Sequence, residues 1–366
     1  MKPNVSIVLG TRPEIIKLAP VIRECDRRGV TYSLVHTGQH YSEALDGDFF
    51  DLLDLPEPDH ELRVGSGPHG RQTAAMIEGI EGALREDRPE TVVIQGDTNS
   101  TLAGAIAGGK LDVAVAHLEA GLRSFDREMP EELNRIVADH AADWLFAPTA
   151  TARNNLRSEG LPPERILVTG NTVVDAVEQN RSIAVEESDV LERLGLAPGE
   201  FGVVTVHRAE TVEDASTFAD VLDGVARVAR ERDVEMVYPI HPHSRETLEA
   251  FDVTVPDAVR LVPPQDYLDF LRLESAAALI LTDSGGVQEE ACILGVPCAT
   301  LRDNTERPET IEAGANCLAG TDPERISAAA REMIEVPRDW RNPFGDGDAA
   351  ARVLDAIAGT APEVAP

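Results

Sequence analysis

Short apolar runs rich in β-branched residues, alternating with longer amphipathic stretches, constrain this chain more than any other feature. Strand-like segments at 5–10, 32–37, 91–95, 113–117, 144–147 and 166–169 are separated by helical patterns such as 14–27, 72–86, 131–142 and 150–158. The second half repeats the alternation, with strands expected at 202–206, 236–240, 259–262, 278–282 and 298–301. Successive strand–helix units need crossover connections, so they imply parallel sheets covered by helices on both faces. A chain of 366 residues exceeds one ordinary core. The expected fold class is α/β, with two doubly wound, Rossmann-like domains facing across a cleft. The boundary is expected near Gly170, giving domains 1–170 and 171–344, and the helical periodicity of 345–366 is expected to rejoin the first domain. Ligands of open parallel sheets bind beyond the carboxyl ends of the strands, so polar clusters there define the expected site.

Composition narrows the possibilities. No run of about 18 apolar residues is present, and Met1 leads directly into a strand-like segment, so a soluble cytoplasmic protein without membrane contact is expected. The four cysteines form no CxxC pair, which favours buried, reduced thiols. Acidic residues number 65 against 33 basic ones, a formal charge of −32, and the only lysines are Lys2, Lys17 and Lys110. Acids spread along the whole chain read as adaptation to a saline cytoplasm, where salt screens self-repulsion. Nucleic acid is excluded as a partner because no basic stripe exists to neutralise phosphates. An anionic ligand must therefore be met by few, local positive groups.

Several clusters follow predicted strands. Gly10-Thr11-Arg12-Pro13-Glu14 opens a helix carrying Lys17; this is either an anion site at a helix N-terminus or a cap with surface charges. Thr282-Asp283-Ser284-Gly285-Gly286, followed by Glu290, is either a pyrophosphate cradle with a ribose acceptor or a glycine-rich turn. It is not GxGxxG, and no acidic residue follows at the dinucleotide spacing, so NAD is disfavoured. Asp97, Glu119, Glu131 and Glu132, with Arg123 and Arg135 nearby, are either acid/base carboxylates or a buried ion-pair network. No ligand spacing favours a metal. His207 and Arg208 end the first strand of the second half and suit a phosphate or acid role. His241-Pro242-His243 reads as a rigid loop.

Together the stretches GTRPEIIKLAP, TGQHY, QGDTNSTLAGA, HLEAGLRSFDREMPEELNR, GNTVVDA, DSGGVQEEA and RDNTERPET resemble the non-hydrolysing UDP-N-acetylglucosamine 2-epimerase family. They run in order from residue 10 to residue 310, most of the chain. The resemblance implies a glycosyltransferase-B-like architecture, a UDP-sugar substrate, no cofactor and a homodimer. It also implies that Asp97, Glu119 and Glu131 are the acid/base carboxylates, supported by Arg135, and that His207 assists the departing diphosphate. Arg12 and Lys17 then match positive groups near nucleotide and sugar. Ser284, Gly285 and Gly286 match the diphosphate cradle, Glu290 the ribose ligand and Arg307 a further UDP contact. Gln39, Arg71, Gln72 and His241 match parts of a regulatory second-substrate site in bacterial members. Two departures bear on substrate: the loop Ser-Phe-Asp-Arg-Glu-Met between Arg123 and Pro130 is short, and Ala209 follows Arg208 where a second Arg is common. Relatives acting on a 2,3-diacetamido uronic-acid sugar nucleotide share short-loop features. A retaining UDP-sugar glycosyltransferase is the other enzyme of this architecture.

Overall fold

The computed structural model describes residues 4–39 and 49–359. His40 and Tyr41 of the TGQHY stretch, and residues 360–366 of the C-terminal segment, lie outside them. The chain forms two compact units, Met1–Ala176 with Phe344–Pro366, and Val177–Pro343.

The first unit is built on a seven-stranded sheet of order β3-β2-β1-β4-β5-β6-β7. Its strands are β1 Asn4–Leu9, β2 Thr31–His36, β3 His60–Glu61, β4 Thr91–Gln95, β5 Ala114–Leu118, β6 Trp144–Ala147 and β7 Ile166–Val168. Every pairing is parallel; Val5 lies opposite Thr91, and Val92 opposite Val115. Val92, Val93 and Ile94 expose no surface, which is why β4 reads as an uninterrupted apolar run. Strand order reverses between β1 and β4, so the loops after these two strands diverge and leave a crevice at their carboxyl ends. The loops concerned begin at Gly10 and Gly96.

The second unit repeats the plan with six parallel strands of order β10-β9-β8-β11-β12-β13. These are β8 Phe201–Thr205, β9 Glu235–Pro239, β10 Val259–Val262, β11 Leu279–Thr282, β12 Cys298–Thr300 and β13 Asn316–Leu318. Here the reversal lies between β8 and β11, whose carboxyl ends carry His207 and Asp283–Gly286. The edge strands β3 and β13, of two and three residues, are not among the strands read from the sequence. No helix among the described residues is long and apolar enough to cross a membrane.

The helix Ala349–Ile357 packs on Arg12–Arg28 of the first unit. It buries Val353 and Leu354, and Arg28 reaches Asp355 at 2.6 Å. Asp175 receives the backbone N–H groups of Ala349 (3.2 Å) and Ala350 (2.9 Å), satisfying donors that a helix start leaves open. Cys25, Cys292 and Cys298 are buried and Cys317 is partly so, all as free thiols.

Gly121, two residues beyond Glu119, has φ 84°, and a Cβ there would lie 2.2 Å from the carbonyl oxygen of Ala152. Neither the dihedral nor the backbone contact tolerates a side chain. Gly121→Ala is expected to destabilise the protein by about 3 kcal/mol or more, read as a lowered midpoint of chemical unfolding.

Candidate active site

Beside the switch point of the first sheet, β5 is followed directly by Glu119, a non-glycine residue with φ 64°. Its buried carboxylate accepts from Lys17 Nζ (2.6 Å), Asn171 Nδ2 (2.8 Å) and Gln95 Nε2 (2.5 Å). Three donors, one of them a full charge, compensate its loss of water. Asp97 follows Gly96 at the end of β4 and is half-buried; its carboxylate pairs with Arg135, which also reaches Glu132 Oε2 at 2.8 Å. Glu132 in turn receives the backbone N–H groups of Ser124 and Phe125, both at 3.0 Å. The short loop before Pro130 is thus tied to the helix Pro130–Ala141 that follows it. Burial opposes ionisation of Glu132, yet Ser124 and Arg135 hold its carboxyl below the usual range.

The start of the helix Arg12–Arg28 differs from an open anion site. Glu14 turns back on it, accepting from Gly10 N–H (3.0 Å) and the Thr11 hydroxyl (2.9 Å). Its other oxygen receives the hydroxyls of Thr98 (2.7 Å) and Thr101 (3.3 Å). Gly10 is required by packing, since a Cβ would lie 1.9 Å from the Thr37 hydroxyl oxygen. Arg12 stands over the Phe49 ring, 5.5 Å from its centroid. Burial pushes the Glu14 carboxyl up to about 7 from 4.5, against the hydrogen bonds from Thr98, Thr11 and Gly10 and with a push from Asp97.

The second unit arranges different chemistry. Asp283, fully buried at the end of β11, accepts the backbone N–H groups of His207 and Arg208, both at 2.9 Å. His207 Nδ1 lies 2.9 Å from its other oxygen, so the ring is oriented with Nε2 turned away from Asp283. Burial works against ionisation of Asp283, but His207 and the two amides hold its carboxyl below the ordinary range. Ser284 caps the helix Gly285–Leu294. A Cβ on Gly285 or Gly286 would meet nothing closer than 3.7 Å. Neither glycine is demanded by packing or by a positive φ, so their bare backbone leaves room for an outside group at a positive helix end. Arg307 flanks this start and pairs with Glu289 at 2.7 Å. Arg302 grips Glu306 at 3.0 and 3.1 Å; despite burial, Arg302, Arg208 and Arg307 bring the Glu306 carboxyl down to about 2. Glu290, one turn into the helix, is partly exposed.

Against known families, residues 23–358 match the model described as UDP-N-acetylglucosamine 2-epimerase. The chain belongs to that family. The UDP-N-acetylglucosamine 2-epimerase of Methanocaldococcus jannaschii is 47 % identical over 96 % of this chain and 98 % of its own length. The crystal structure of the M. jannaschii UDP-GlcNAc 2-epimerase in complex with UDP-GlcNAc and UDP superposes with a TM-score of 0.92 at 46 % identity, covering 97 % of this chain and 99 % of that one. A UDP-2,3-diacetamido-2,3-dideoxy-D-glucuronate 2-epimerase from Pseudomonas aeruginosa is 36 % identical over 96 % of this chain and 98 % of its own.

Within this epimerase-family fold the structure brings Lys17 to Glu119 and Arg135 to Asp97, while Glu131 is exposed on the first turn of its helix. His207, Ser284, Gly285, Gly286, Glu290 and Arg307 all belong to the second unit. Of the residues matched to a regulatory site, Gln39 and Gln72 are buried together. Gln72 Nε2 donates to Gln39 O at 3.1 Å, and Gln39 Oε1 accepts from Ser100 N–H at 3.2 Å. Arg71 is exposed beside them, and His241, in the second unit, caps the helix Pro242–Ala250. Gln95 and Asn171 had no role in the sequence reading, Glu132 entered it only among the clustered carboxylates, and Asp283 only within the glycine-rich cluster. Their signal was position alone, a polar residue at a strand end or helix start inside a matched stretch.

Because the folded value for Glu14 lies above the unfolded one, its contribution to stability is full below pH 4.5 and is lost as pH rises through 7. Glu14→Gln is expected to remove a fall on the order of 3 kcal/mol across that window, seen by comparing unfolding midpoints of the two proteins as a function of pH.

Proposed function

We propose that this chain interconverts UDP-N-acetylglucosamine and UDP-N-acetylmannosamine without hydrolysis. The observation that carries this reading is the pairing of two kinds of switch-point site in one epimerase-family chain. One holds strand-end carboxylates braced by Lys17 and Arg135; the other holds an open glycine helix start beside an oriented histidine.

The C2 proton of the sugar has no adjacent carbonyl to acidify it. Departure of UDP breaks the C1–O bond and leaves positive character at C1, which does acidify it. A carboxylate then takes the C2 proton, giving a 2-acetamidoglucal. A proton delivered to the other face of C2, with return of the UDP oxygen to C1, completes inversion with no net oxidation. In this reading Asp97, Glu119 and Glu131 supply base and acid, a role worth roughly 10²–10⁴ in rate. The pairing with Arg135 orients the Asp97 carboxylate, and Lys17 and Arg12 answer negative charge on the substrate. The Gly285 and Gly286 amides, Ser284, Arg307 and the outward Nε2 of His207 stabilise the leaving diphosphate. Glu290 takes the ribose hydroxyls. The exposed Arg71 and His241 are the positions where a second substrate molecule would act as regulator, and the family supports a homodimer. The charge of −32 and the scarcity of lysine support a salt-adapted cytoplasmic enzyme. The short loop pinned by Glu132 favours a second reading, the 2,3-diacetamido uronate nucleotide as substrate.

Proton NMR of the protein with UDP-N-acetylglucosamine in D₂O and high KCl is the test. The manno epimer is expected with deuterium at C2; no exchange with this substrate, but exchange with the diacetamido uronate, establishes the second reading instead. Asp97→Asn is expected to lower kcat by roughly 10²–10⁴ while UDP affinity, measured calorimetrically, is retained. Activity is expected to survive molar KCl and to decline in dilute buffer, where acidic self-repulsion is unscreened; full activity in dilute buffer speaks against salt adaptation.

A further inference from the structure

His117 lies on β5 two residues before Glu119, has no exposed surface, and touches none of the groups assigned to the substrate. Its Nδ1 is 2.7 Å from Asp139 Oδ1, and its Nε2 is 2.9 Å from the carbonyl oxygen of Gly96. A carbonyl oxygen only accepts, so Nε2 carries a proton and donates it to Gly96. Asp139 is itself held by Arg123 Nη2 (2.7 Å) and Gly121 N–H (3.1 Å), and Arg123 continues to Glu159. The ring is therefore fixed from behind and aims one N–H at the residue preceding Asp97. Gly96 has φ 78°, a conformation open to glycine, and its own N–H donates to Leu118 O at 3.1 Å, so the bond from His117 acts on its carbonyl side. The next two residues are gripped as well: Asn134 donates to Asp97 O at 2.9 Å, and the Thr98 hydroxyl donates to Glu14.

We propose that His117 is a positioning residue of the reaction, its Nε2–H fixing the Gly96–Asp97 peptide plane and thereby aiming the Asp97 carboxylate. This rests on the epimerase reading above and deepens it. The alternative role, a mere brace for Asp139, makes the opposite prediction for two isosteres. An asparagine amide nitrogen takes the place of Nδ1 and keeps the bond to Asp139; a glutamine amide nitrogen takes the place of Nε2 and keeps the bond to Gly96.

The experiment compares His117→Asn and His117→Gln for kcat and KM with UDP-N-acetylglucosamine, beside a ring-nitrogen NMR measurement on the unmodified protein. His117→Asn is expected to lose roughly ten- to a hundredfold in kcat with little change in KM, and His117→Gln to retain the larger share. The unmodified protein is expected to show a solvent-protected proton on His117 Nε2. Equal or greater activity of the Asn variant overturns the proposal, and so does an unprotonated Nε2, which decides the matter if the Asn variant does not fold. Absence of C2 exchange in the unmodified protein removes the epimerase reading itself, whereas a reversed Asn/Gln order in an active protein removes only the role of His117.

Discussion

A single buried charge, the Glu119 carboxylate, organises the first unit. Left without partners it would cost several kcal/mol, and its left-handed backbone adds about 1–3 kcal/mol more. Both are tolerated because Lys17 arrives from the helix after β1, Gln95 from the end of β4 and Asn171 from the turn before the helix Thr172–Glu187. Three separate stretches of chain must be in register before this carboxylate is satisfied. The parallel ladders of β1, β4 and β5 set that register, and the neighbouring loops inherit it.

The second unit solves a similar problem differently. Asp283 is also a buried carboxylate at a strand end, but its principal donors are backbone amides of the loop after β8. Amides at fixed positions shape a loop more rigidly than long side chains do, because they carry no rotamer freedom. That loop holds His207, whose ring is also turned by Asp283, so one residue sets both backbone and side chain of a group facing solvent. Glu306 nearby is held instead by side chains, those of Arg302 and Arg208, beside the bare glycine start.

Much of this was legible in the amino-acid order. Val92, Val93 and Ile94 announce a strand buried on both faces, and the alternation with helices dictates parallel sheets. Asp97, Glu119 and His207 stand out as polar residues ending apolar runs. Partnership was harder to see: Lys17 and Glu119 are 102 positions apart, and nothing in either stretch names the other. Neighbouring carboxylates were ambiguous for a geometric reason. Glu131 and Glu132 point about 100° apart around their helix, so one faces out and the other anchors the Ser124–Phe125 backbone. At the Gly10–Glu14 turn an anion site and a helix cap both stayed open, because order alone does not reveal that Glu14 folds back over its own helix start.

The return of the chain from Phe344 to the first unit has a consequence for how the protein is made. On a ribosome most of the first unit emerges before the second, yet the helix Ala349–Ile357 that covers Arg12–Arg28, and whose start Asp175 caps, appears only after the whole of Val177–Pro343. The unit Val177–Pro343 is continuous and can close on itself while synthesis proceeds. The sheet of the first unit must instead wait, with the apolar flank of its first helix uncovered, until the second unit has been made. Order of synthesis and order of completion are thereby inverted, and the nascent first unit is the stage at which a chaperone would have something to hold.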